Sequence, residues 1–391
     1  MMARWAMTAL ATAWMTLPAT AQDCGGDFSA WRDGLAAEAR AAGIGERGLG
    51  ALAAARIDER VLERDRAQGV FSQTFTEFSG RMISEYRLVQ GARNLEKLGD
   101  VFARAESRFG APGPVIAAFW ALETDFGANQ GDFRTLDALV TLAHDCRRPE
   151  LFRPHLVPLL ALIDRGALPA DVQGAWAGEI GQTQMLPGDI LKLGQDGDGD
   201  GAADIRNSEP DVILTTAAKL QSRGWRAGEP WLEEVALSGD LPWEETGRTN
   251  RLPITQWTAW GVTARDGRPL EDRGIPAGLV LPQGHRGPAF LAYPNFDVYL
   301  EWNQSFVYTL TAAHLAARLA GEPPFDPRSP EPGLDLETMK RLQEKLVARG
   351  HDVGGVDGIL GVATREAVRQ EQIRLGFVVD GWPTRGLLEA L

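Results

Sequence analysis

The chain has 391 residues, enough for two or three domains and a sizeable core. Its formal charge of −13 argues against nucleic acid as a partner, because phosphate binding calls for a basic surface. Its two cysteines lack metal-ligand spacing, so an uncharged or mixed-charge substrate fits better than a thiolate metal centre.

The first 21 residues read as a secretory signal. Arg4 supplies the positive region, Trp5–Leu17 the apolar run and Ala19-Thr20-Ala21 the cleavage site. The apolar run is too short to span a bilayer. Asp23 before Cys24 does not suit lipid attachment, so a soluble exported protein is expected. In an oxidising compartment an even cysteine count predicts a Cys24–Cys146 disulfide, two buried thiols being the alternative.

Residues 23–111 carry helical periodicity throughout, and the stripe Phe71, Phe75, Phe78 and Met82 reads as core. Gly43-Ile44-Gly45-Glu46-Arg47-Gly48 matches G-x-G-x-x-G but follows a helix, not a strand, so the dinucleotide reading fails its context. The stretch from Gly113 is apolar all round, as a buried helix is. Pro114 suits its first turn and Gly127 is the expected stop. Glu123 is the first ionisable group on that helix, near its negative end. Burial and the helix dipole both disfavour its charged form and raise its pKa, which is what a general acid needs near neutrality. A buried Glu held by an arginine or the backbone is the bland alternative.

Two further helices are expected over Thr135–Leu142 and Pro149–Asp164. In residues 174–187, spaced glycines permit close backbone approach, and Gln182 and Gln184 are the polar groups able to face a cleft. The loop 196–211 is dense in carboxylates. Asp196, Asp198, Asp200 and Gly201 fit positions one, three, five and six of a calcium loop, and Asp204 fits position nine. Asn207 stands where the bidentate Glu belongs, leaving Glu209 or Asp211 as the late ligand. Between Trp225 and Tyr293, short runs at Ile254–Val262 and Gly278–Leu281 predict a small β insertion. Trp231, Trp243, Trp257 and Trp260 there suit either sugar stacking or burial. Helical pattern returns over Asn295–Leu319. The segment 321–333 reads as a proline-rich linker. Beyond it, Leu336–Arg349, Thr364–Leu375 and Pro383–Leu391 predict a compact three-helix unit. Two half-repeats within it begin at Asp357-Gly358 and Asp380-Gly381.

Four runs then meet a family. ALETDFGANQGDFRTLDALVTLAHDCRR, GAWAGEIGQTQMLP, DGDGDGAADI and YPNFDVYLEWNQS resemble, in order and spacing, the motifs of B-type lytic murein transglycosylases. RLQEKLVARGHDVGGVDGILGVATREAV is similar to a peptidoglycan-binding domain. The resemblance implies a mainly α (α+β) molecule. A signal peptide (1–21) precedes a lysozyme-like helical catalytic domain with a small β insertion (22–320), a linker (321–333) and a three-helix peptidoglycan-binding domain (334–391). It implies cleavage of the β-1,4 MurNAc–GlcNAc bond without water, with Glu123 as acid and then base. Gln184 and Asn303 match cleft residues, Trp302 stands where the family usually has a tyrosine, and Asp196, Asp198 and Asp200 match calcium ligands. A periplasmic monomer acting on glycan strands follows, with structural Ca2+ and with cell-wall synthesis or division proteins as further partners.

Four residues at three places depart from the family pattern. Ala175 stands where a serine usually helps to position the catalytic carboxyl, Glu179 replaces a small residue, and Gly188-Asp189 replaces a Ser-Ser pair. They leave two alternatives to the transglycosylase: a catalytically weakened peptidoglycan-binding scaffold, and a hydrolytic muramidase.

Overall fold

The computed structural model describes residues 25–67, 73–238 and 241–391. The signal segment, Cys24 and Phe71 lie outside the described residues. Helices Phe28–Ala41, Glu59–Arg66, Phe75–Met82 and Glu85–Lys97 each begin where Asp27, Asp58, Thr74 or Ser84 accepts a first-turn amide. The helix Glu46–Ala53 follows the G-x-G-x-x-G run. Asp164 accepts the Gly45 and Gly48 amides, both at 3.0 Å. A carboxylate of the chain itself therefore holds that helix start, which physically excludes the phosphate reading. Gly25 donates to the His144 carbonyl at 2.8 Å, beside Cys146, which is disulfide-bonded.

The helix Gly113–Thr124 is the centre of the main core. Every residue from Val115 to Leu122 is buried, and Phe306–Leu319, Glu85–Lys97, Gly99–Phe109 and Glu209–Ser222 pack around it. Its stop differs from the expected Gly127. Asp125 already turns left-handed at φ 51°, followed by Phe126 at 61°. Non-glycine residues in that region cost about 1–3 kcal/mol each and cluster at functional sites. Here the Arg87 guanidinium, 2.7 Å from Asp125, holds the turn.

The expected helices at 135–164 form as Thr135–His144, Pro149–Phe152 and Leu156–Asp164, with a 3-10 turn before the last. The glycines of 174–187 serve close approach within the chain itself. A Cβ on Gly174 would meet the Glu179 carbonyl at 2.0 Å, and one on Gly181 the Ile205 carbonyl at 2.6 Å.

The insertion holds a four-stranded antiparallel sheet in the order Val262–Ala264, Leu232–Leu237, Phe290–Ala292, Gly278–Val280. Its register pairs Ala236 with Thr263, Glu233 with Leu291 and Leu279 with Leu291. Most of Ile254–Val262 is not strand: Ile254–Ala259 is a helix started after Pro253, with Ile254 and Trp257 buried three residues apart. Trp257 is wholly buried and donates to the Ala277 carbonyl, so it belongs to the core and not to a sugar platform. The helical stretch expected over 295–319 is two helices, Pro294–Trp302 and Phe306–Leu319. Ser305 caps the second by accepting the Tyr308 amide, and its own amide donates to Asn303 Oδ1, so this break has its own chemistry.

The segment 321–333 is packed, not free. Phe325 stacks on Phe75 at 4.9 Å, and Asp326 donates its amide to Glu234 at 2.7 Å. The helices Leu336–Ala348, Val362–Leu375 and Arg385–Ala390 enclose a third core. The two half-repeats are held alike. Gln343 accepts the Gly358 amide and donates to Asp357; Gln372 accepts the Gly381 amide and donates to Asp380. This unit docks on the insertion through Arg365 to the Pro282 carbonyl, Arg369 to Thr246, and His285 to Asp380. Among the described residues no helix is long and apolar enough to cross a membrane.

Candidate active site

Glu123 lies in the last turn of the central helix, and two donors from distant sequence converge on its Oε1. The Trp302 indole donates at 2.9 Å and the Tyr308 hydroxyl at 2.5 Å. Both come from the helix–break–helix element, whose break at 303–305 turns Trp302 and Tyr308 toward the same carboxyl. Burial pushes the Glu123 carboxyl up, and the Tyr308 and Trp302 hydrogen bonds and the Lys219 charge oppose it without cancelling it. The same burial raises the Tyr308 hydroxyl far above its ordinary range, so Tyr308 stays a donor.

A charged group surrounds this pair. Lys219, 7% exposed on the helix Glu209–Ser222, sits 4.0 Å above the Trp302 ring and 3.3 Å from Asp189. Arg223 reaches the same carboxylate at 3.4 Å. Burial lowers Lys219, while Asp189 and Glu123 favour its charged form. Burial pushes Glu179 up, a hydrogen bond from its own backbone amide opposes this, and the Glu123 charge adds to the rise, while its Oε2 has no hydrogen-bond partner. His155 accepts the Gly188 amide at 3.3 Å and is held toward its neutral form by burial.

The residues expected from sequence divide. Trp302 touches Glu123 directly. Gln184, at φ 49°, turns its amide toward the Gly181 and Gln130 carbonyls, leaving its oxygen available. Asn303 uses its side-chain oxygen on the Ser305 amide, so its first role is to shape the break. Gln182 departs from the cleft-facing expectation. It is buried, accepting from the Trp120 indole at 2.8 Å and donating to the Arg206 carbonyl at 3.0 Å. Both ends of that amide are engaged inside the fold, which makes it a scaffold residue. Tyr308 and Lys219 were not expected. The signals were faint: one tyrosine in a helix of alanines and threonines, and one lysine in the buried run VILTTAAKL.

In the acidic loop, ligand oxygens of Asp196, Asp198 and Asp211 lie within 4.8 Å of one another. Asp211 is fully buried and accepts the Gly197 and Asp204 amides, both at 2.6 Å. Of the two late carboxylates expected, Glu209 and Asp211, it is Asp211 that groups with Asp196 and Asp198. Asp200 and Asp204, also expected as ligands, lie outside this close group. Asp200 accepts the Ala202 amide, and Asp204 accepts the amides of Arg206 and Asn207, so both carboxylates turn back on their own loop. An all-oxygen group of this kind fits a hard divalent cation such as calcium.

The chain matches the transglycosylase SLT domain family over residues 27–317 and a peptidoglycan binding domain over 336–391. It belongs to the transglycosylase SLT domain family. It is 28% identical to membrane-bound lytic murein transglycosylase B of Escherichia coli (strain K12) over 223 residues, 56% of this chain and 60% of that protein. The chain thus spans less than two thirds of that relative's length. SltB3 of Pseudomonas aeruginosa, solved in complex with NAG-anhNAM-pentapeptide, superposes with a TM-score of 0.86 at 35% identity, covering 94% of this chain and 99% of that one. The lytic transglycosylase SLT35 of Escherichia coli, solved in complex with calcium, shares the fold at 24% identity and a TM-score of 0.62, over 76% of this chain and 95% of that one.

Proposed function

We propose that this protein is a peptidoglycan lytic transglycosylase that cleaves the β-1,4 MurNAc–GlcNAc bond with Glu123 as its single acid and base. The observation that carries this reading is the raised, buried Glu123 carboxyl held by two neutral donors. It gives its proton to the glycosidic oxygen as the bond from that oxygen to C1 breaks. The resulting carboxylate takes the proton of the muramoyl C6 hydroxyl, whose oxygen bonds C1 and closes the 1,6-anhydro ring. Glu123 ends protonated, and no water is consumed.

A second carboxylate, which ordinary retaining and inverting glycosidases require, is poorly provided for. Asp125 is paired with Arg87, and Asp132 is exposed. Glu179 is held toward its neutral form, and a neutral carboxyl is a weak nucleophile. Gln184 and Asn303 are the residues we assign to sugar contacts beside Trp302.

Asp196, Asp198 and Asp211 would hold Ca2+, which supplies charge neutralisation between the loop and the helix Glu209–Ser222. The C-terminal unit is assigned to glycan strands, and the site of action is the periplasm, reached by the signal segment. Mass spectrometry of peptidoglycan digested by the protein and by Glu123→Gln tests the reading. Products one water lighter than hydrolysed ones, absent with the variant, support it. Reducing-end products would mean a muramidase, and wall binding without products a scaffold.

A further inference from the structure

We propose that Lys219, anchored by Asp189, is a positioning residue for Glu123 that stabilises the carboxylate formed once the proton has been given to the glycosidic oxygen. The inference rests on the function proposed above and deepens it. Three contacts form a continuous chain. Asp189 holds the Lys219 ammonium at 3.3 Å, the ammonium lies 4.0 Å above the Trp302 indole, and that indole donates to Glu123 at 2.9 Å. A cation over an indole face favours a fixed ring and polarises its N–H toward the acceptor. Phe119 stacks on Trp302 at 4.3 Å and closes the remaining freedom of the ring.

The other groups around this chain carry no positive charge to Glu123. Burial keeps His155 toward its neutral form and Glu179 toward its protonated form, and Tyr308 is a neutral donor. Arg148 acts on Glu179, Arg87 is paired with Asp125 and acts on Tyr308, and Arg223 faces Asp189 from the partly exposed side. Lys219 is thus the buried cation whose charge acts on the reacting carboxyl. A buried lysine facing an acid in a dry site costs desolvation unless it has a partner, and Asp189 is that partner. The pair Asp189–Lys219 and the indole Trp302 meet at one place in the fold although 113 residues separate the first from the last.

The sign of the effect is defined. Glu123 must start protonated, so the rate falls as pH rises through its pKa. Positive charge nearby lowers that pKa, and removing it raises the value further. Lys219→Gln keeps a hydrogen bond for Asp189 but not the charge; Lys219→Met removes both; Lys219→Arg keeps the charge. The measurement is the pH–rate profile for release of soluble products from purified peptidoglycan, with product masses recorded in the same digests. We expect Lys219→Gln and Lys219→Met to lower the rate about tenfold and to move the basic limb up by about one pH unit. Lys219→Arg should leave the limb in place. A loss of rate in Lys219→Gln with an unmoved limb would overturn the positioning role, leaving Lys219 a packing residue. If wild-type digests contain no anhydro products, the parent reading fails and this inference falls with it. Lys219→Gln also answers the question if Lys219→Met does not fold.

Discussion

The Glu123 site and the C-terminal unit both bury polar side chains, and they treat them in opposite ways. In the C-terminal unit Gln343 meets Gly358, Asp357, Ile359 and Thr364, and Gln372 meets Gly381, Asp380 and Trp382, so each buried amide is fully engaged. At the active site Glu179 Oε2 has no partner, three non-glycine residues (Asp125, Phe126 and Gln184) turn left-handed, and two carboxyls are pushed up by burial. The first arrangement maximises satisfied bonds and fixes a shape. The second keeps a proton where water would otherwise remove it, and tolerates local instability to do so.

The largest test of this contrast is Glu123→Gln. Turnover should fall on the order of a thousandfold, the scale of a lost general acid and base. Stability should change the other way. Because the folded pKa of Glu123 is raised, the native state is penalised above that pKa and not below the unfolded value. Chemical denaturation should therefore find Glu123→Gln more stable than wild type at pH 7, with the difference closing as pH falls toward 4.5. An equal stability at both pH values would show that burial of this carboxyl carries no strain.

Calcium removal should come next. Chelation, or Asp211→Asn, should lower the melting temperature; at a calcium concentration about 100 times Kd the stabilisation is about 2.7 kcal/mol. An unchanged melt in calcium, EDTA and the variant would remove the cation from the loop. Gln372→Ala should then destabilise the C-terminal unit by about 1–3 kcal/mol, since it orphans the Gly381 amide and takes one donor from Asp380. Hydrogen exchange would show the loss confined to 334–391, and cleavage of short soluble glycans should be unaltered. The smallest effect is expected from Tyr308→Phe. Losing one of two donors should slow turnover about tenfold and raise the basic limb, as the carboxylate loses a stabilising bond.

Legibility in the sequence followed the range of the interactions. The Glu123 helix was readable because its apolar run is local, and so was the three-helix unit with its repeated Asp-Gly turns. Ile254–Ala259 was misread because a six-residue run with only three apolar side chains has no decisive period, and Pro253 favoured a helix start. The break at 303–305 was hidden because Asn303 and Ser305 make it by side-chain bonds and not by glycine or proline. Of the acidic residues, spacing marks Asp196 and Asp198 as candidate ligands. Which late carboxylate joins them depended on the helix that buries Asp211. Tyr308 lies 185 residues from Glu123 and Lys219 reaches it through Trp302, so no local pattern could mark either.

The central claim is that Glu123 completes the reaction without water. Digestion of peptidoglycan in water enriched in oxygen-18 tests it most directly. The account predicts anhydro-muropeptides with no label at C1. Label incorporated at C1 of reducing muramoyl ends would contradict it and make the protein a hydrolase built on the same carboxyl.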